Sequence, residues 1–319
     1  MPSSFASAPG KIILFGEHAV VYGHPAIAIP LTGLRAKVTV SALISEKPGT
    51  LRIQAPDIDL DALFTDLPPD NPHTKALQLV LDFLEIKRVP TCLVRITSQI
   101  PARAGLGSGA AVAVATIRAF GNYLGHWLED QDVSRLALEV EKLHHGTPSG
   151  IDNAVVTYEK PIFYIKDRSL KILQPQKDMH LLVADSGISR STAETVQQVR
   201  LAKEAQPEQY QALFSEISRL TYEAKEIIES GNLPCLGRLM DQNQALLVSM
   251  DLSCPELDQL IQAARSAGAF GAKLSGGGKG GHMLALVADY NLEAVREALL
   301  QAGAAHVVQS QLLQTSSER

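Results

Sequence analysis

The chain has 319 residues, enough for one large domain or two modest ones with a sizeable core. Its composition, 45% hydrophobic and 20% charged with a formal net charge of −5, is ordinary for a globular protein, and no basic block suggests nucleic-acid binding. No apolar run is long enough to span a bilayer, and the first ten residues lack the pattern of a signal peptide. The three scattered cysteines form neither a disulfide framework nor a zinc ligand set. We therefore expect a cytoplasmic protein without nucleic-acid or membrane partners.

An apolar stretch at residues 8–31, "APGKIILFGEHAVVYGHPAIAIPL", opens the chain and predicts a buried strand. Lys11 interrupts it, and Glu17 and His18 interrupt it again side by side. Burying such groups without partners would cost several kcal/mol. The charges therefore raise the question of what this strand does.

Periodicity predicts two further strands and three helices in the rest of the first half. The strands alternate apolar and polar residues and span 35–43 and 92–98. The helices span 74–87, 107–127 and 131–145. The second consists mainly of small and apolar residues on all of its faces. The apolar face of the third helix comprises Val133, Leu136, Ala137, Val140, Leu143 and His144.

The amino-acid composition changes near residues 170–180, which predicts one domain over 1–175 and a second over 176–319. In the second part we expect a strand, two long amphipathic helices, a strand–glycine loop–strand unit and a final helix. They span 180–187, 191–230, 234–267, 271–287 and 292–302.

The most informative stretch is "IPARAGLGSGAAVAVA", residues 100–115. Gly105, Gly107 and Gly109 precede a helix of small residues, and such a helix N-terminus can cradle a phosphate with its free N–H groups. A tight turn before a close-packed helix would give the same pattern. The stretch matches neither the dinucleotide-binding fingerprint nor the Walker A loop.

A second glycine-rich loop, "GGGKGG" at 276–281, lies between two predicted strands. Five glycines in six positions exceed what a hairpin needs and favour a backbone that lies against a ligand. Lys279 within this loop either faces solvent or meets a phosphate.

Two carboxylates and two histidines complete the set of candidates. Glu141 should point toward the edge of the core from its helix. Asp152, between a glycine and a β-rich run, is expected either as a cap or turn residue or as a group that accepts a proton from a hydroxyl. His144 and His145 point about 100° apart on a helix and cannot chelate one ion, so they are expected to be structural.

With these stretches, the chain resembles the GHMP-type small-molecule kinases. The three family motifs occur in order as "APGKIILFGEH", "GLGSGAAV" and "KLSGGGKGG". "GEHAVVYG", "HGTPSGIDN" and "DSGISRST" are similar to the branch whose members phosphorylate mevalonate on its C5 hydroxyl. The resemblance implies an α+β fold of two lobes, with a ribosomal-protein-S5-like N-terminal half and a ferredoxin-like C-terminal half. It also implies ATP and Mg²⁺ as cofactors, mevalonate as substrate and, as in similar proteins, a homodimer.

The resemblance also implies roles for the charged residues. Asp152 matches the catalytic base, and Lys11 matches the lysine that contacts both this base and the reacting hydroxyl, where a cation would keep the base ionised. Glu141 matches the ligand of Mg²⁺, which bridges the nucleotide phosphates. Charge within the opening strand is then explained, because that strand borders the substrate site.

The remaining implied site residues form two sets. The nucleotide set comprises Pro101, Gly105, Leu106, Gly107, Ser108, Gly109, Ala110, Ser275, Gly276, Gly277 and Gly278. The mevalonate set comprises Lys11, Glu17, His18, Ser149, Asp152, Arg190 and Thr192. Within the latter, Arg190 is the expected partner of the mevalonate carboxylate, since its fork of donors suits two oxygens.

Two departures from the family pattern leave questions open. The family usually has two serines in the first glycine loop, where this chain has Ser108 and Gly109. Either Ser108 supplies the hydroxyl ligand of Mg²⁺, or water and Glu141 do. Lys279 replaces a residue that is usually small.

The alternatives for the whole protein are a relative that phosphorylates another alcohol (phosphomevalonate, mevalonate at O3 or a sugar) and a non-catalytic sensor of ATP and a metabolite.

Overall fold

The computed structural model describes residues 3–44, 46–102, 104–145, 150–166, 168–188 and 192–314. These residues form a mixed fold of helices and strands with two sheets, which confirms the α+β class. Among them, no helix is both long and apolar enough to cross a membrane.

The elements are numbered in chain order. The strands are β1 Ser3–Phe15, β2 Pro25–Ala42, β3 Leu51–Ala55, β4 Leu60–Leu63, β5 Cys92–Ser98, β6 Ile162–Ile165, β7 Ser169–Ile172, β8 Met179–Asp185, β9 Gly271–Ser275, β10 His282–Val287 and β11 His306–Leu312. The helices are α1 Pro72–Phe83, α2 Ser108–Tyr123, α3 Asp130–His145, α4 Ile151–Tyr158, α5 Thr192–Ala205, α6 Pro207–Ser230, α7 Leu233–Ser249, α8 Pro255–Ser266 and α9 Leu292–Gln301.

The contacts divide the chain into two compact units, and the first contains residues 1–10 and 34–159. Its strand β3 pairs antiparallel with β4 and parallel with β5, and β5 pairs antiparallel with the last part of β2. Helix α2 packs against α1, α3 and α4. Because α2 is built almost entirely of small and apolar residues, it is buried on most sides, as the sequence predicts.

The second unit contains residues 11–33 and 160–319. Its antiparallel sheet has the order β11-β8-β10-β9. Leu274, Met283 and Ala184 lie on one face, which joins the apolar core formed with the helices. Lys273 and Ser275 alternate with them along β9 and therefore lie on the other face, where Lys273 and Ser275 bond to residues of segment 11–33. The two units are each made of separate segments of the chain, whereas the predicted domains meet at one boundary at residue 175. That boundary stays a prediction.

The strands predicted at 92–98 and 180–187 and the strand–loop–strand unit are confirmed, but several helix ends differ from the prediction. Helix α1 ends at Phe83 rather than 87, because Glu85 has a φ of 56° in the left-handed region. Helix α2 ends at Tyr123, and Gly125 follows it with a φ of 85°.

The two long helices predicted after residue 190 are wrong, since each is divided into two. The first breaks where Gln206 leaves the helical conformation before Pro207. The second breaks after Ser249, where Asp251 has a φ of 57°, and α8 begins at Pro255. Proline has no N–H and disfavours a helical residue before it, so it starts helices here rather than continuing them.

Candidate active site

The phosphate loop, residues 105–110, leads into α2 in the first unit. Gly107 is the N-cap of this helix with a φ of 73°, and no side chain of the described residues caps the helix end. The first N–H groups of a helix have no partner within the helix, and the dipole is positive at this end. The loop therefore presents backbone donors suited to an anion.

Space around the phosphate loop favours close approach of a ligand. A Cβ placed on Gly105 or Gly109 would meet no other atom of the part of the chain that the structure describes within 4 Å. Leu106 is buried and anchors the loop, and its carbonyl oxygen lies 2.9 Å from the position of a Cβ on Gly10. The hydroxyl of Ser108 donates to the carbonyl oxygen of Ile100 at 3.4 Å. Pro101 is exposed at the start of the loop.

Asp152 and Glu141 lie on neighbouring helices of the first unit. Asp152 is in the first turn of α4, so its placement as a cap or turn residue before a β-rich run is wrong. The reason is Gly150, whose left-handed φ of 82° begins the helix directly after the glycine. Asn153 ties α4 to α3 by donating its amide to the carbonyl and hydroxyl oxygens of Ser134, at 2.9 and 2.8 Å. Glu141 is half-buried on α3 at the edge of the core, as predicted.

In the second unit, Glu17 and Lys273 form a buried ion pair. Lys273 is 0% exposed, and it also donates to the Leu274 carbonyl oxygen at 2.8 Å. Asn243 on α7 donates its amide to the second oxygen of Glu17 at 3.3 Å. Burial lowers the pKa of Lys273, while the charge of Glu17 acts in the opposite direction.

Lys273 is not among the residues that the sequence pattern predicts for the site. The only signal is a lysine between Ala272 and Leu274 in a strand that is otherwise apolar. Its partner is 256 residues away in the chain, and no local pattern predicts such a pair.

His18 reaches the second glycine loop within the same unit. Its Nε2 lies 2.9 Å from the carbonyl oxygen of Gly277. A carbonyl oxygen only accepts, so the ring carries its proton on Nε2 and, when neutral, has an acceptor at Nδ1. Burial lowers the pKa of His18, which favours this neutral form. His18 has a φ of 59°, an uncommon conformation for a non-glycine residue.

The second glycine loop, residues 276–281, and Ser275 before it are held by neighbouring parts of the same unit. Ser275 donates its hydroxyl to the Ile13 carbonyl oxygen at 2.6 Å. Thr192, at the exposed start of α5, lies close to this loop, since a Cβ on Gly277 would be 3.3 Å from its Cα. Lys279 forms an ion pair with Asp251, with Nζ and Oδ1 2.5 Å apart.

The sequence-predicted residues thus fall into two groups. The first unit contains Glu141, Asp152 and the whole phosphate loop, including Gly109 and Ala110, whereas the second contains Lys11, Glu17, His18, Thr192 and the loop from Ser275 through Gly276 and Gly278. Lys11 is buried on β1. Ser149 and Arg190 lie outside the described residues.

Comparisons with known proteins identify the family. The model of the GHMP kinase N-terminal domain matches residues 71–160, and that of the GHMP kinase C-terminal domain matches residues 224–306. A mevalonate kinase of Thermococcus gammatolerans is 37% identical, with 93% of each chain covered, and one of Pyrococcus horikoshii is 38% identical, with 88% of each chain covered. A solved structure of L. major mevalonate kinase in complex with R-mevalonate has a TM-score of 0.81 and 31% identity, covering 98% of this chain and 97% of that one. The chain belongs to the GHMP kinase family and is a kinase.

Proposed function

We propose that the protein transfers the terminal phosphoryl group of ATP to the C5 hydroxyl of mevalonate, giving 5-phosphomevalonate and ADP. The observation that carries this proposal is an uncapped helix N-terminus at the phosphate loop in the same unit as Asp152 and Glu141. The similarity to mevalonate kinases over most of the chain supports the choice of substrate.

In this proposal the phosphate loop binds the phosphates of ATP through its backbone. The open space beside Gly105 and Gly109 supports close contact there. Segment 275–278 is proposed to contact the nucleotide as well, since a Cβ on Gly276 would meet no atom of the described residues within 4 Å. No lysine of a Walker A loop is required, since N–H groups and the helix dipole supply the positive potential.

Mg²⁺ accompanies the nucleotide in this proposal. Among the described residues, no three His, Cys, Asp or Glu side chains are grouped to hold a metal ion. A magnesium site does not require such a group, because Mg²⁺ commonly takes one or two carboxylates together with phosphate oxygens and waters. Glu141 would provide the carboxylate and Ser108 the hydroxyl oxygen, while Gly109 has no side chain to offer. When bound, the ion neutralises charge that develops on the phosphates.

Asp152 is proposed as the base. The hydroxyl oxygen attacks the terminal phosphorus, the bond from that phosphorus to the bridging oxygen of ADP breaks, and the hydroxyl proton passes to the Asp152 carboxylate. The first turn of α4 suits a carboxylate, because the helix dipole favours negative charge there. Lys11 supplies the positive charge that stabilises alkoxide character on the attacking oxygen.

The remaining predicted residues orient mevalonate. Arg190 is proposed to bind its carboxylate, with Ser149 and Thr192 as hydroxyl partners. The neutral ring of His18 offers Nδ1 as an acceptor to a substrate hydroxyl. Glu17, whose carboxylate is bonded to Lys273 and Asn243, is proposed to support the adjacent His18. The homodimer and the cytoplasmic location stay predictions.

Replacement of the base tests the proposal. We expect Asp152→Asn to lower kcat by at least about a hundredfold, the usual worth of a positioned base, with little change in nucleotide affinity. Asp132→Asn is the matched control, since Asp132 also lies in the first turn of a helix in the same unit but pairs with Arg135 at the surface. An Asp152→Asn enzyme with the kcat of this control would remove Asp152 from the mechanism.

A further inference from the structure

Lys279 is bonded in a way that the family pattern does not explain. Its Nζ pairs with Oδ1 of Asp251 at 2.5 Å, and the second oxygen of Asp251 accepts from the amide of Gln198 on α5 at 3.1 Å. We call Lys279, Asp251 and Gln198 the loop latch. The Lys279 bond lowers the pKa of Asp251, so this carboxylate is charged at neutral pH.

Both charged members of the loop latch have a left-handed backbone conformation, which is uncommon for lysine and more often adopted by aspartate. Lys279 has a φ of 59° and Asp251 a φ of 57°. Left-handed conformations of non-glycine residues carry an energetic cost and persist where the surrounding structure determines them. Because these two residues are bonded to each other, they join the second glycine loop to the connection between α7 and α8.

The loop latch adjoins the segment that is proposed to contact the nucleotide. The backbone N–H of Lys279 donates to the Leu252 carbonyl oxygen at 2.7 Å, and a Cβ on the preceding Gly278 would lie 2.3 Å from that same oxygen. Gly277, one residue earlier, accepts from His18. The far end of the loop is held separately, because Gly281 donates to Ile188 at 2.7 Å. The loop is therefore held at Gly281 by backbone pairing, and at Lys279 by a backbone bond together with the loop latch.

We propose that Lys279 and Asp251 are positioning residues, which hold segment 276–278 in the conformation that receives the nucleotide phosphates. This inference rests on the proposed function. According to this inference, Lys279 is not a phosphate ligand, since its ammonium group is paired with Asp251. The two roles predict opposite results for one substitution. If Lys279 bound phosphate, removal of the competing Asp251 charge would strengthen nucleotide binding, whereas loss of the loop latch weakens it.

The test compares Lys279→Met, Asp251→Asn and their double variant with the wild type. Met keeps the length of the side chain, and Asn tolerates a left-handed φ. Arg296→Met is the matched control, because it removes an exposed ion pair with Glu293 on α9 of the same unit. The readouts are the Kd of a non-hydrolysable MgATP analogue by calorimetry, the KM for MgATP and kcat, and hydrogen exchange of the amides of residues 276–281.

Each single variant should raise Kd and the KM for MgATP about fivefold, the range that a partly exposed ion pair supplies, and should leave kcat within about twofold. The double variant should be no weaker than either single variant, and exchange at 276–278 should increase in all three. The exchanged pair Lys279→Asp with Asp251→Lys should recover most of the loss.

Three results would overturn the inference: tighter analogue binding by Asp251→Asn, Kd and exchange equal to those of Arg296→Met, or additive losses without recovery in the exchanged pair. Wild-type protein that binds no MgATP analogue would instead reject the proposed function. The exchange of residues 276–281 would still decide whether the loop latch holds the segment.

Discussion

The phosphate loop of the first unit and the second glycine loop of the second unit are both rich in glycine, but their surroundings differ. Around Gly105 and Gly109 a Cβ would meet no other atom of the described residues within 4 Å. In the second loop a Cβ on Gly278 would lie 2.3 Å from the Leu252 carbonyl oxygen, and one on Gly280 would lie 2.5 Å from that of Ile188. The first loop leaves space beside its glycines, whereas much of the second is filled by the protein itself.

This difference shows that glycine-rich motifs combine two requirements. In the phosphate loop the absence of side chains matters for what approaches from outside. In the second loop, Gly278 and Gly280 are required by the fold, whereas a Cβ on Gly276 would meet no atom of the described residues within 4 Å, which leaves room for the proposed contact with the nucleotide. Substitutions should separate these requirements, since one kind affects binding and the other affects folding.

The largest effect should come from the ion pair before the second loop. Lys273→Met leaves the buried carboxylate of Glu17 without its cation, and we expect a loss of about 3–5 kcal/mol in the free energy of unfolding, measured with denaturant. The double variant with Glu17→Gln should recover part of this loss, since it removes the uncompensated charge. A single variant as stable as the wild type would show that the second loop does not depend on this pair.

Gly278→Ala should be the next largest, with a loss of about 2–4 kcal/mol, because it combines overpacking against Leu252 with a left-handed φ of 82°. Gly276→Ala is the matched control, since its φ is 83° but its surroundings are open. Its loss should be only about 1 kcal/mol. Equal losses in thermal or denaturant unfolding would mean that contact with Leu252 does not distinguish the two glycines.

Gly109→Ala should act in the opposite sense on stability. It lies in the first turn of α2 and has no strained φ, so alanine should stabilise the helix by up to about 1 kcal/mol. The added methyl group should nevertheless weaken MgATP binding by roughly tenfold, because it occupies space proposed for phosphate. Calorimetry and thermal unfolding of the same sample check both effects. Unchanged nucleotide affinity would show that the space beside Gly109 is not needed for phosphate, which contradicts the distinction drawn between the two loops.

The smallest effect concerns pH. Burial lowers the pKa of His18 below its ordinary value of 6.5, so the unfolded chain binds more protons as pH falls below 6.5. The stability that His18 contributes is complete above pH 6.5 and is lost as pH falls through the lowered pKa. His18→Asn should therefore reduce the slope of unfolding free energy against pH in this range, although burial also lowers the pKa of His24 and His282. Exposed His126→Asn is the control, and an equal slope in both variants would contradict the assignment.

The sequence predicts local features of this chain better than long-range ones. Short patterns gave strand β5 and both glycine loops, because alternation and glycine clusters are visible within a few residues. The prediction of two long helices is wrong because their amphipathic pattern continues past Pro207 and Pro255, although each proline starts a new helix. Asp152 was misplaced because "IDNAVV" is rich in β-branched residues, while Gly150 and packing on α3 favour a helix.

The candidate site divides along the same line. Motif similarity predicted the phosphate loop and the acidic residues. It did not predict the partners of Glu17, which lie on α7 and β9, or the partner of Lys279, which follows α7. These pairs depend on packing between segments far apart in the chain. Ser149 and Arg190 stay predictions.

Product analysis tests the central claim most directly. The wild-type protein is incubated with MgATP and, in parallel, with mevalonate, phosphomevalonate, galactose and homoserine; ADP release is followed, and the product is located by phosphorus and carbon NMR. The account predicts turnover with mevalonate alone and a phosphate on its C5 oxygen. Turnover with a different alcohol, or a phosphate at O3, would contradict it and assign the kinase another substrate or position.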